Sequence, residues 1–328
     1  MRESIDSMLL TVFLLIVALA GLVVTADRFV DGAAAIANNF GVAPIIIGVT
    51  IIGLGTSAPE MLVSGIAAWE GNVGLAIGNA LGSNIANIGL ILGITLLIKP
   101  IAIKTSIFRC ELPALMIVTL GSYLMVADYS LDQIDGVLLV LFLMGFLAWL
   151  ILICVKQNKT DPIVQEIEGE IPKTMSNQAA FAWTFAGLVG LVLSSKLLVW
   201  AAVTIAKEFG VSDLVIGLTI IALGTSLPEL AASVASVLKN NADMAIGNVI
   251  GSNIYNLTAV LSIPALVAPG ALDAVVVERD FLVMSVLTVL LFLLVADVFR
   301  CGKLGRISGF LLILMYGGYQ LFLYQSVL

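Results

Sequence analysis

A chain of 328 residues that is 60% hydrophobic and only 11% charged falls far below the quarter or so of charged residues usual in a soluble domain. With a mean hydropathy of +1.13 and most of its charges in short stretches between apolar runs, the net charge of −7 marks no polyanion-binding face, and nucleic acid is excluded as a partner. The chain has no histidine, which removes the usual zinc ligand and proton relay, and Cys110, Cys154 and Cys301 lack paired spacing, as apolar packing residues do.

Ten apolar segments are each long enough to cross about 30 Å of hydrocarbon at about 1.5 Å per residue. They are residues 8–37, 43–69, 73–98, 108–127, 134–155, 179–207, 212–238, 243–268, 281–299 and 305–326. The first follows Arg2 and contains Ala18-Leu19-Ala20, as a cleavable leader would. It also aligns with the sixth, residues 15–42 with 184–211, so it is expected to be a retained span. Within it Asp27, Arg28 and Asp31 are spaced to pair with one another near a membrane surface.

The second segment carries Gly55-Thr56-Ser57-Ala58-Pro59-Glu60, and the third carries Gly78-Asn79, Gly82-Ser83-Asn84-Ile85 and Asn87. Between the fourth and fifth, Asp128, Asp132 and Asp135 read as a solvated outer loop. Residues 156–178 form the polar linker, dividing the chain into five-span halves at 1–155 and 179–328. The seventh segment repeats the first motif as Gly224-Thr225-Ser226-Leu227-Pro228-Glu229, and the eighth repeats the second as Gly247-Asn248, Gly251-Ser252-Asn253-Ile254 and Asn256. At a constant offset of 169, segments 49–94 and 218–263 share 22 of 46 residues without a gap, well beyond what apolar composition alone produces.

The expected fold is an all-α integral membrane protein with ten transmembrane helices. Five spans per half is an odd number, so the two repeats enter the membrane in opposite directions, an inverted topology. With the N-terminus outside, the cytoplasmic loops hold Lys99, Lys104, Arg109, Lys156, Lys159, Lys173, Lys239, Arg300, Lys303 and Arg306, against Arg2, Lys207 and Arg279 on the outer side. This excess places both termini outside and the linker in the cytoplasm of a plasma (inner) membrane protein.

A charged side chain at the bilayer centre costs on the order of 3 kcal/mol, so Glu60 and Glu229 are functional candidates by default. Pro59 and Pro228 remove a helical hydrogen bond and free the carbonyls four residues back, at Gly55 and Gly224. Helical spacing puts Thr56 and Ser57 on the face of Glu60, Thr225 and Ser226 on that of Glu229, Ser83 with Asn87, and Ser252 with Asn256. All are hard oxygen ligands, suited to Ca²⁺ and Na⁺. The competing structural reading makes each acid a buried hydrogen-bonding residue, which two matched copies disfavour. Gly78, Gly82, Gly247 and Gly251, four apart, are expected to allow close helix packing rather than to touch an ion.

The two motifs, each present twice in the same order, resemble the sodium/calcium exchanger family of the cation/calcium antiporter group across essentially the whole chain. The resemblance implies a centre between the second, third, seventh and eighth spans, with Glu60 and Glu229 as shared Ca²⁺ and Na⁺ ligands. It implies Thr56, Ser57, Thr225, Ser226, Ser83 and Ser252 as Na⁺ ligands, helped by the backbone carbonyls of Gly53 and Ala222, and the first and sixth spans as a sliding gate. The chain departs from the family in two respects. Asparagine occupies both 87 and 256, where members often have one aspartate, and the linker is too short for a calcium-sensing region. The expected function is Ca²⁺/Na⁺ antiport by alternating access, in a monomeric unit with no cofactor and no enzymatic step. Ca²⁺/H⁺ antiport is the alternative, because carboxylates serve both coupling ions, and a cation channel is the reading from a different class.

Overall fold

The computed structural model describes residues 2–42, 47, 50–51, 53–101, 111–156, 175–238, 242–301 and 303–326. The linker residues 157–174, Cys110 and the cations Lys104, Arg109 and Lys239 lie outside them, as do the side chains of Cys154 and Cys301.

Helix α1 (Arg2–Asn39) leads to a helical turn, Gly53–Gly55, and then to α2 (Ala58–Trp69). Helix α3 (Val73–Ile98), α4 (Leu112–Met125) and α5 (Gln133–Lys156) complete the first half. In the second half α6 (Asn177–Phe209) is followed by α7 (Asp213–Thr225) and α8 (Leu227–Leu238). Helix α9 begins as Ala242–Tyr255 and runs through a π-helical turn, Asn256–Val260, into Ser262–Val267. The π-helical Val276–Phe281 opens α10 (Leu282–Cys301), and α11 (Arg306–Gln325) ends the chain. Among the described residues, seven helices are long and apolar enough to cross a membrane, or eight with the bent pair α7–α8 taken as one span.

The sequence repeat reappears in the element boundaries. Ala58–Trp69 and Leu227–Leu238 differ by the same 169 residues at both ends, as do Val73–Ala86 and Ala242–Tyr255. The terminations match too. Gly41 and Gly210 follow α1 and α6 with φ of +80° and +65°, a left-handed conformation that glycine adopts without a Cβ clash. Just beyond them Val42 N donates to Ala37 O at 3.0 Å, and Val211 N to Ala206 O at 2.9 Å, each closing the last helical turn.

Burial sorts the helices into centre and rim. In their most apolar windows 78% of α3 and 83% of α9 is buried, against 22% of α1 and 17% of α5, so the motif-bearing helices are central and the others present apolar side chains outward. Close approach makes this possible. A Cβ at Gly78 would lie 2.5 Å from the Leu214 carbonyl, and one at Gly82 would lie 2.7 Å from the Leu218 Cα, so α3 packs on α7 backbone to backbone, as expected of these glycines. The nearest atoms to Gly247 and Gly251 among the described residues are Glu111 Oε2 at 3.6 Å and the Tyr255 ring at 3.9 Å; residues 45, 48 and 49, the equivalents of Leu214, Gly217 and Leu218, lie outside the described residues. Helices α1 and α6 lie against each other through Gly32 and Gly187, where a Cβ would be 2.5 Å from the Thr184 and Phe29 nitrogens. Arg28 stacks 4.8 Å above the Trp183 ring of α6 and lies 3.9 Å from Asp31. Asp128 and Asp132 are exposed and Asp135 is half-buried: Asp128 caps Ser130, and Asp132 caps Ile134 and Asp135, at the start of α5.

Candidate functional site

Both motif copies break their helices at the same place. Pro59 sits in the first turn of α2, where its missing N–H is one of the donors a helix start leaves unpaired. Upstream the chain turns at Thr56 and Ser57. Ser226 makes the equivalent break between α7 and α8, which meet at 43°. Helix α1 touches both breaks. A Cβ on Gly55 would lie 2.3 Å from Val30 Cγ2, and one on Gly224 would lie 2.2 Å from Leu19 Cδ2.

Most of the predicted residues lie in the interior. Glu60 and Glu229 are each 1% exposed, and Ser57, Ser83, Asn87, Thr225, Ser226, Ser252 and Asn256 are buried as well. Each carboxylate is approached by at least one hydroxyl of the opposite half. The Thr225 and Ser226 hydroxyls lie beside Glu60, with Ser226 Oγ donating to Glu60 Oε1 at 3.4 Å, and those of Thr56 and Ser252 lie beside Glu229. Asn87 crosses between halves, its Nδ2 donating to Asn253 Oδ1 at 3.1 Å. The predicted carbonyls are engaged within their own turns. Gly53 O accepts from Thr56 Oγ1 at 3.3 Å, and Ala222 O accepts from Ser226 N at 3.2 Å and Thr225 Oγ1 at 3.4 Å.

The centre is rich in acceptors. Ser57 Oγ, Glu60 Oε2, Ser83 Oγ, Asn87 Oδ1, both Glu229 carboxylate oxygens and Asn256 Oδ1 are buried and receive no hydrogen bond from the described residues. Neither carboxylate has an ion-pair partner among those residues. Burying a polar group unpaired costs about 1–3 kcal/mol, and more for a charge, so buried acceptors of this kind suit a bound cation. Among the described residues no group of three His, Cys, Asp or Glu side chains is placed to hold a metal. The oxygens around the two glutamates are therefore neutral, a donor set for hard cations.

Residues that the sequence reading left without a role surround this centre. Asn79 Nδ2 donates to the Glu60 carbonyl at 3.1 Å and to Ser64 Oγ at 2.9 Å. Asn248 makes the equivalent pair with Glu229 O at 3.4 Å and Ser233 Oγ at 3.1 Å. The signal was available: Ser64, Asn79 and Asn84 recur as Ser233, Asn248 and Asn253 at the repeat offset. Asn87 and Asn256 also each open a π-helical turn, a local widening that hydrophobic pattern does not announce.

Paired broken helices that meet inside an apolar bundle and converge on buried acids define the binding region of a secondary transporter. The profile of the sodium/calcium exchanger protein family matches residues 10–152 and 179–325, one stretch in each half. The chain is 46% identical over 322 residues to the protein CaxA of Alkalimonas amylolytica, covering 97% of this chain and 100% of that one. It is 28% identical to the sodium/calcium exchanger MaX1 of Methanosarcina acetivorans, covering 78% of this chain and 83% of that one. A solved structure of the sodium-calcium exchanger NCX_Mj, soaked with Na⁺ and Sr²⁺, is 33% identical, with a TM-score of 0.63 over 94% of this chain and 97% of that one. The chain belongs to the sodium/calcium exchanger family. It is a multi-pass integral membrane protein of a transporter family, and cation/Ca²⁺ antiport is the activity that membership supports.

Proposed function

We propose that this protein exchanges Ca²⁺ for Na⁺ by alternating access, with the ions bound between Glu60 and Glu229. The observation that carries this reading is that seven oxygens on Ser57, Glu60, Ser83, Asn87, Glu229 and Asn256, drawn from both halves, are buried with no hydrogen-bond partner among the described residues. The two carboxylates supply a charge of −2, which one Ca²⁺ or two Na⁺ neutralises. Thr56, Thr225, Ser226 and Ser252 provide further hydroxyls, and the second lone pairs of the Gly53 and Ala222 carbonyls complete the shell.

Ten spans in inverted halves fit the loop contacts. The loop after α3 pairs with the loop before α11 through Ile101 and Leu304, and the loop before α5 pairs with the one after α9 as β1 (Ser130–Leu131) and β2 (Gly270–Ala271). The loops after α3 and α9 are repeat equivalents, so alternation of ten spans puts them on opposite membrane faces. In this arrangement both termini are outside and residues 156–178 are cytoplasmic.

The test is ⁴⁵Ca²⁺ uptake into proteoliposomes driven by an outward Na⁺ gradient or by a pH gradient alone. Uptake that follows Na⁺ supports the proposal. Uptake that follows only the pH gradient replaces Na⁺ by H⁺ as the coupling ion. Flux that runs down its own gradient with no counter-ion would make the protein a channel.

A further inference from the structure

Asn79 and Asn248 hold the backbones of the two glutamates in the same way, yet among the described residues Asn79 alone of the two reaches across to the other half. Its side chain is fully buried, and both Nδ2 hydrogens are committed, to the Glu60 carbonyl and to Ser64 Oγ. Ser64 Oγ is itself anchored to the Ala76 carbonyl at 3.1 Å. This fixes which end of the amide is which. The remaining end, Oδ1, accepts the hydroxyl of Thr225 at 3.1 Å. The equivalent threonine, Thr56, instead donates to the Gly53 carbonyl of its own turn at 3.3 Å.

We infer that Asn79 is a positioning residue for ion binding: it takes the Thr225 proton, so that the hydroxyl lone pairs are turned toward the cation between Glu60 and Glu229. A hydroxyl has one proton and two acceptor lone pairs, and it can serve a cation only when the proton points elsewhere. Thr225 has three acceptors within reach, Asn79 Oδ1, the Ala222 carbonyl at 3.4 Å and the Glu60 carboxylate beside it. If the proton went to Glu60, it would spend a carboxylate lone pair and turn the hydroxyl away from the ion. Asn79 prevents this, and because it also grips the Glu60 carbonyl it couples the acid of one half to the hydroxyl of the other. The inference rests on the exchange reading above.

The test is a double-mutant cycle read as the Na⁺ concentration that half-activates Ca²⁺ uptake in proteoliposomes, a quantity that a purely structural role would not couple to one hydroxyl. Asn79→Ala and Thr225→Val should each raise it at least about threefold, and the double variant should be no worse than the more damaged single one. In the parallel cycle, Asn248→Ala and Thr225→Val should multiply. Asn79→Ser serves the same cycle if the alanine variant fails to insert. Multiplicative effects for Asn79 and Thr225, or equal coupling from Asn248, would overturn the inference while leaving the exchange reading standing. If Glu60→Gln retains full Na⁺-driven uptake, the exchange reading itself fails and this inference falls with it.

Discussion

Replacing Glu229 by Gln separates charge from shape at the proposed site. Both carboxylate oxygens of Glu229 are buried without a hydrogen-bond partner among the described residues, whereas Glu60 receives one bond from Ser226. Gln preserves volume, so the change is mainly one unit of charge. At an effective dielectric of about 20, unit charges about 4 Å apart interact by about 4 kcal/mol, and a divalent ion doubles this. Relief of the repulsion between the two glutamates and relaxation of the site offset much of that gross figure. If a quarter survives, Ca²⁺ loses about 2 kcal/mol and Na⁺ about 1 kcal/mol, or about thirtyfold and about fivefold in affinity. The same substitution removes the charge that Ca²⁺ pairs with, so the variant should gain less stability than wild type when Ca²⁺ is added. The assays are ⁴⁵Ca²⁺ uptake against both ion concentrations and thermal melting in detergent with and without Ca²⁺. A well-folded variant whose Ca²⁺ half-saturation stays within about threefold of wild type would refute the charge argument.

Three further outcomes are expected. Gly55→Ala should impair folding or exchange more than Gly224→Ala, because the new Cβ meets the stiff β-branched Val30 at 2.3 Å in one case and the movable end of Leu19 at 2.2 Å in the other; Val30→Ala should rescue Gly55→Ala, and failure of that rescue in a melting assay would remove the contact as the cause. Wild-type uptake should be insensitive to a membrane potential clamped with valinomycin, since two carboxylates balance two Na⁺ or one Ca²⁺, whereas Asn256→Asp should introduce a potential dependence by admitting a third Na⁺; strongly potential-driven wild-type uptake would contradict the charge count. With the native cysteines replaced, Gln133→Cys should react with an impermeant maleimide from outside and Gln165→Cys only from the cytoplasm, and the opposite pattern would reverse the orientation; Gln133 is chosen because Asp132 caps α5.

Much of the architecture was legible because the chain states it twice. The offset of 169 that aligned Glu60 with Glu229 also sets the boundaries of α2 against α8 and of the first part of α3 against α9. Apolar runs gave the membrane class, and proline beside a buried acid gave the broken helices, since a missing N–H and an unpaired charge are local facts with local costs. Which groups meet across the halves was not local. Sequence put Thr56 and Ser57 on the face of Glu60, but the folded centre sets Thr56 beside Glu229 and Thr225 and Ser226 beside Glu60. It could not separate Asn79 from Asn248, identical in motif and different in reach, because the bond from Thr225 to Asn79 joins residues 146 positions apart. A repeat fixes the parts in duplicate, but only packing decides how two copies meet, because contacts between distant segments depend on the whole bundle closing at once.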